Sequence, residues 1–194
     1  MKNLLLLFFF AFTTSLSAQK FGIRAGVNLA SQSFGDGDVD AGSIVGYQVG
    51  INYEILTILN LAIRPGLLYA TKGSSQEFPD LTEEARFHYF EVPVDIVYDL
   101  GVVDIFAGPY MGYALKGTQD VGAEVVNINF DKDNVKKLDI GLNFGANIDI
   151  NDMIYLGAYY SLGVSDLNSN DNPNLGSDES IKNKSISTFV ALRF

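Results

Sequence analysis

Cysteine and tryptophan are absent from the 194 residues, and histidine occurs once, as His88. Without cysteine there is neither a disulfide scaffold nor a lipid-anchored lipoprotein. With one histidine and no cysteine, no standard nucleophile–base pair is visible, so no catalytic residues and no enzymatic activity are expected. Cationic residues are the minority: 13 Lys and Arg against 23 Asp and Glu give a net charge of −10. That balance argues against nucleic acid and other anionic partners. Past the first residues no segment approaches 18 consecutive apolar residues, so no transmembrane helix is expected.

The one uninterrupted apolar stretch lies at the start. MKNLLLLFFFAFTTSLSAQ carries a single Lys, an apolar run from Leu4 to Phe12, and small residues ending at Ala18. This is the pattern of a secretory signal peptide: a positive region, a hydrophobic region too short to span, and a cleavage site near Ala18. The expected organisation is residues 1–18 as cleaved signal and 19–194 as one domain. What the chain has in quantity is glycine, 19 residues, and aromatics, 12%. Gly with Tyr and Phe in alternating segments is a β composition.

Eight alternating segments follow one another, at 21–30, 43–55, 61–70, 87–98, 102–115, 137–149, 154–164 and 186–194. In the first, Phe21, Ile23, Ala25, Val27 and Leu29 oppose Gly22, Arg24, Gly26 and Asn28. In the sixth, Leu138, Ile140, Leu142, Phe144, Ala146 and Ile148 oppose Asp139, Gly141, Asn143, Gly145 and Asn147. Long polar connections at 31–42, 71–86, 116–136 and 165–184 alternate with short ones at 56–60, 99–101 and 150–153. Antiparallel up-and-down connectivity then gathers the long loops at one end, with the tight turns and both termini at the other. An even number of such segments with this loop asymmetry is the signature of an all-β, eight-stranded transmembrane barrel of OmpA/OmpX type.

A soluble up-and-down barrel alternates too, but packs its bulky face inward and shows charge outside. Here one face is almost wholly Val, Ile, Leu, Phe, Tyr, Met and Ala. The other is Gly, Asn and Ser with Arg24, Arg64, Glu91, Asp95, Asp104, Asp139 and Arg193. Eight strands leave an interior just wide enough for side chains. A water-soluble arrangement would expose the glycines for no gain in packing. In a bilayer the bulky face meets outer-membrane lipid, glycine relieves crowding inside, and mixed charges pair across the lumen, where an unpaired one would cost several kcal/mol. Arg24, Arg64, Glu91, Asp95 and Asp139 are therefore expected to form a structural polar network that plugs the lumen; a gated ion leak is the alternative reading.

The final ISTFVALRF alternates through Val190 and Leu192 to a terminal Phe194. It resembles the C-terminal signal that barrel-assembly machinery reads. Across nearly the whole exported chain the segments GIRAGVNLA (22–30), IRPGLLYATKG (63–73), YFEVPVDIVYDL (89–100), AGPYMGYAL (107–115), DIGLNFGANIDI (139–150) and ALRF resemble the PorT-like outer-membrane β-barrel domain proteins of Bacteroidetes-type bacteria. The resemblance implies an eight-stranded barrel and, through the namesake, a place in an outer-membrane secretion or envelope-assembly machine. One departure is Val97 before Tyr98, where relatives often carry Lys.

Other candidates carry less. Alternation places His88 on the lipid side near the long-loop end, an interfacial position. GDGDVD at 35–40 begins like a calcium loop but has Ala41 and Tyr47 where that loop needs Gly and Glu, so no metal or cofactor is expected. The long connections hold 15 acidic and 7 basic residues, an acidic cap suited to recognition or to shielding. The expectation is an outer-membrane protein with extracellular long loops, periplasmic termini and a structural or surface-interaction role. A secretion accessory is the alternative and a lipid-modifying enzyme a distant third.

Overall fold

The computed structural model describes residues 19–35, 39–56, 59–78, 81–121, 124–130, 135–168 and 180–194. The expected signal segment 1–18, the middle of GDGDVD and most of the last long connection lie outside them. Ten strands run through the described residues: β1 (Gln19–Phe34), β2 (Val39–Asp40), β3 (Ile44–Leu56), β4 (Leu61–Phe78), β5 (Leu81–Asp99), β6 (Val103–Val121), β7 (Glu124–Ile128), β8 (Leu138–Asp149), β9 (Ile154–Gly163) and β10 (Ile181–Arg193). Eight form a ring in the order β1-β3-β4-β5-β6-β8-β9-β10, every neighbour antiparallel, and β10 returns to pair with β1. The short β2 and β7 pair with the far ends of β1 and β6.

Closure removes the sheet edges, which in hydrocarbon would leave amides costing several kcal/mol each. The closing register runs from Gly22 opposite Arg193 to Phe34 opposite Ile181. At its foot Phe194 N donates to Phe21 O at 2.8 Å and Phe21 N to Phe194 O at 3.2 Å, so the terminal aromatic is itself a rung of the ladder. The turns at this end use local polar chemistry. Gly101, at φ 103°, donates its N–H to Asp99 Oδ1 at 2.6 Å. Asn151 Oδ1 accepts the amides of Met153 and Ile154.

Side chains sort by parity. Val45 is 65% exposed and Ile96 57%, and Leu142 and Phe144 likewise face outward, while Arg64, Glu91 and Asp139 are buried inside. The outward residues form a continuous belt that includes Val190, Leu192 and Phe194. In β5 this membrane-facing part is Phe90–Tyr98. Inside, Phe106, Tyr155, Tyr159 and Phe189 cluster in the half of the lumen nearer the short turns. Glycine makes this possible: a Cβ at Gly157 would collide with the ring of Phe189, and one at Gly145 with Phe106 and Tyr159.

One expectation is corrected. The polar connection at 71–86 is not a loop: β4 and β5 stay paired from Thr71 opposite His88 to Phe78 opposite Leu81, and β6 follows β5 up to Val121. Likewise β1 continues to Phe34. The ladder persists there because backbone pairing does not require an apolar face. Beyond the belt neither face meets lipid, so the apolar alternation that marks a strand in the sequence disappears.

Candidate functional site

The polar interior is arranged in three levels along the barrel axis. Nearest the short turns, β4 aims Arg64 inward, and its Nε and Nη2 hold Glu54 Oε2 of β3 at 2.8 and 2.5 Å. Arg64 Nη2 also lies 3.4 Å from Asp104 of β6, which in turn is 3.8 Å from Arg193 of β10. Arg193 reaches Asp149 at 3.1 Å, and its guanidinium stacks 4.7 Å from the Tyr155 ring. Two arginines and three carboxylates thus make one connected centre.

Arg24 occupies the middle level, its guanidinium 5.0 Å from the centre of the Phe189 ring and 5.4 Å from that of Tyr159. Such cation–π contacts stabilise a desolvated cation by about 2 kcal/mol. Asp95, opposite Arg64 in the register, is hydrogen-bonded to Asn143 and lies in the field of both Arg24 and Arg64. Carboxamides complete this waist: Asn52 donates to Tyr155 Oη at 2.7 Å, and Tyr159 donates to Gln48 Oε1 at 2.7 Å.

The third level lies toward the long connections. Lys72 Nζ is 2.6 Å from Glu91 and 3.4 Å from Asp139, with the Tyr110 ring centre at 4.2 Å. Asp139 also accepts hydrogen bonds from Tyr110 Oη at 3.2 Å and Asn183 Nδ2 at 2.9 Å. Above it a short polar ladder climbs to the mouth: Gln32 Nε2 donates to Asn183 Oδ1 at 3.2 Å and Ser74 Oγ donates to Gln32 Oε1 at 2.8 Å. Cups of about 280 Å³ lie at each end, with the three levels between them. This interior is built to hold charge in place.

The five residues singled out from the sequence all lie in this interior, but in different centres: Arg64 in the first, Arg24 and Asp95 in the second, Glu91 and Asp139 in the third. Two of the most connected residues escaped the sequence reading. Glu54 shares the parity of Gly46, Gln48, Gly50 and Asn52, so alternation alone places it inward. Lys72 shares the parity of Arg64, Leu68 and Ala70, but it lies past residue 70, where the apolar alternation of the sequence stops. His88 faces outward, its Nδ1 2.7 Å from Tyr69 Oη, in a girdle with Tyr47 and Phe90. Among the described residues no cluster of His, Cys and acids is placed to hold a metal ion.

Comparison with known proteins agrees with this geometry. The family model described as "Outer membrane protein beta-barrel domain" matches residues 17–169. No curated protein matches the sequence. Among solved structures, Neisserial surface protein A is similar at a TM-score of 0.58 with 14% identity, covering 90% of this chain and 97% of that one. Ail, the attachment invasion locus protein of Yersinia pestis, is similar at 0.51 with 16% identity, covering 90% and 98%. Ail in complex with the heparin analogue sucrose octasulfate gives 0.50 with 15% identity, covering 91% and 99%. At these identities the likeness concerns the fold.

Proposed function

Since the chain belongs to the outer-membrane protein β-barrel domain family, we propose that it is a surface-displayed scaffold: a closed barrel holding an interaction wall outside the membrane. One observation carries this reading. Beyond the belt, β4 continues for the nine residues Ala70–Phe78, paired to β5, with β6 and β7 alongside. At about 3.3 Å per residue and a tilt near 45°, that wall rises some 20 Å past the bilayer surface. A barrel that served only to fill membrane has no physical need for it.

Orientation follows from export with periplasmic termini, which places the long connections and the wall outside the cell. The plugged lumen supports a role without bulk conduction. The acidic excess of the long connections favours a neutral or basic protein partner and disfavours a polyanion of the kind crystallised with Ail. The segments resembling PorT-like proteins support the alternative, a partner within an envelope secretion machine. Both are tested by crosslinking in native membranes, comparing the full chain with one in which residues 75–84 are replaced by Asn-Gly, a two-residue turn closing the Ser74–Ala85 pair. A stoichiometric partner captured by the full chain and lost from the clipped one supports the wall as the interaction surface. Equal capture by both removes it, and a captured secretion component favours the alternative. Planar-bilayer recordings are expected to show no steady conductance, and an open-channel current of the native protein would overturn the plugged lumen.

A further inference from the structure

The cup at the long-loop end is more than a gap above the plug. Its lining mixes polar groups, Gln32, Ser74, Gln76, Gln119 and Glu83, with apolar ones, among them Phe34, Phe87, Ile128 and Ile181. Phe87 is held by Phe130, with ring centres 6.2 Å apart, and packs with Tyr89 and Ala114 in a small core. Phe87 is therefore held in place by contacts of its own. The polar groups keep unused capacity. Gln32 spends one acceptor on Ser74 and one N–H on Asn183; Gln119 spends one N–H on Glu83 at 3.2 Å. Each amide has a further donor and a further acceptor lone pair to offer.

We propose that this cup binds a single neutral pyranose, free or at the end of a glycan. Three features of the lining select that chemistry. Carboxamides and a serine hydroxyl both donate and accept, which matches sugar hydroxyls and not a cation or an anion. The Phe87 ring in the lining suits the C–H face of a pyranose, leaving the hydroxyl edge toward the amides. Among the described residues the only charged one in the lining is Glu83, so an anionic sugar meets repulsion from it and from the acidic excess of the long connections. Size agrees as well: 280 Å³ is the room of about nine waters, enough for a ring of about a dozen non-hydrogen atoms. A ligand of that size at ordinary efficiency binds with a dissociation constant of about 1 mM. The cup is the inward face of the outer wall together with β1 and β10, and sugar binding there needs no protein partner.

The test is saturation-transfer NMR on the full barrel, refolded in an amine-oxide detergent so that no sugar headgroup competes. Probes are the methyl glycosides of glucose, galactose and mannose, N-acetylglucosamine, glucuronate and maltotriose. At least one neutral pyranoside is expected to bind near 1 mM, with glucuronate at least about tenfold weaker. Ala85→Phe fills the cup from a lining position without a polar side chain, and Gln119→Leu removes an amide while keeping its bulk. Each is expected to weaken binding at least about tenfold with gel mobility of the folded barrel unchanged. If Ala85→Phe does not fold, Gln119→Leu alone decides. Maltotriose binding as well as methyl glucoside assigns the site to a glycan end; binding of the small glycosides alone assigns it to free sugar. No transfer to any neutral pyranoside at about 20 mM, or binding untouched by Gln119→Leu, overturns the proposal.

Discussion

The two charged centres at opposite ends of the lumen differ in how their cations are shared. Near the short turns two arginines divide three carboxylates: Arg64 serves Glu54 and Asp104, and Arg193 serves Asp104 and Asp149. Asp149 keeps partial exposure there. Near the long connections one lysine faces Glu91 and Asp139, and all three side chains are 5% exposed or less. Redundant cations tolerate loss of one partner, whereas a single buried cation between two carboxylates does not. Equal geometry on paper therefore conceals unequal dependence.

Lys72→Met is expected to have the largest effect. It removes the only cation that, among the described residues, pairs with buried Glu91 and Asp139, and costs about 3–5 kcal/mol of barrel stability. With no tryptophan in the chain, the readout is the denaturant midpoint by circular dichroism or by the heat-dependent gel mobility of barrels in micelles. Arg64→Met is expected to cost less, about 1–3 kcal/mol, because it strands one carboxylate, Glu54, rather than two, while Arg193 still holds Asp104. Equal losses for the two variants would erase the distinction between the centres. A loss restored by Lys72→Met combined with Glu91→Gln and Asp139→Asn would sharpen it, since the triple variant leaves no buried unpaired carboxylate.

The belt half of the barrel was legible because lipid imposes one rule on every strand: apolar outward, small or polar inward. Alternation located all eight ring strands and put Arg24, Arg64, Glu91, Asp95 and Asp139 on the inner face. The rule also predicts Glu54, by parity with Asn52 and Gln48. Above the belt it no longer operates. Thr71, Lys72, Ser74 and Gln76 alternate no hydrophobic pattern, although the backbone ladder continues through them. So Lys72, the extended β4–β5–β6 wall and the cup it helps to line were hidden; Lys72 and the cup depend further on partners from strands distant in sequence. Gln32 and Asn183, 151 residues apart, meet only after β1 closes on β10.

A third variant asks how far the outer wall contributes to the barrel below. Replacing residues 75–84 by Asn-Gly removes the paired tip but leaves the belt, the girdle and all three charged centres. The expected change in unfolding free energy is below about 1 kcal/mol, since the removed strands bury little apolar surface. A loss as large as that of Lys72→Met would mean that the wall and the plug fold as one unit.

The smallest expected effect belongs to His88, just outside the belt segment Phe90–Tyr98 of β5. Burial, then the neighbouring charges of Lys116 and Arg86, lower its pKa from the ordinary 6.5. A depressed folded-state pKa means that the neutral imidazole is favoured by the fold. Its contribution is fully present above pH 6.5 and is lost as pH falls through the lower folded value. The ring is partly exposed, so screening keeps the effect slight. The native barrel is expected to lose a little stability between pH 7.5 and 5.5, and part of that loss is expected to vanish in His88→Phe, which keeps an aromatic beside Tyr69. An identical pH dependence in both proteins would return His88 to the solvated surface and assign the loss to the acidic groups of the mouth.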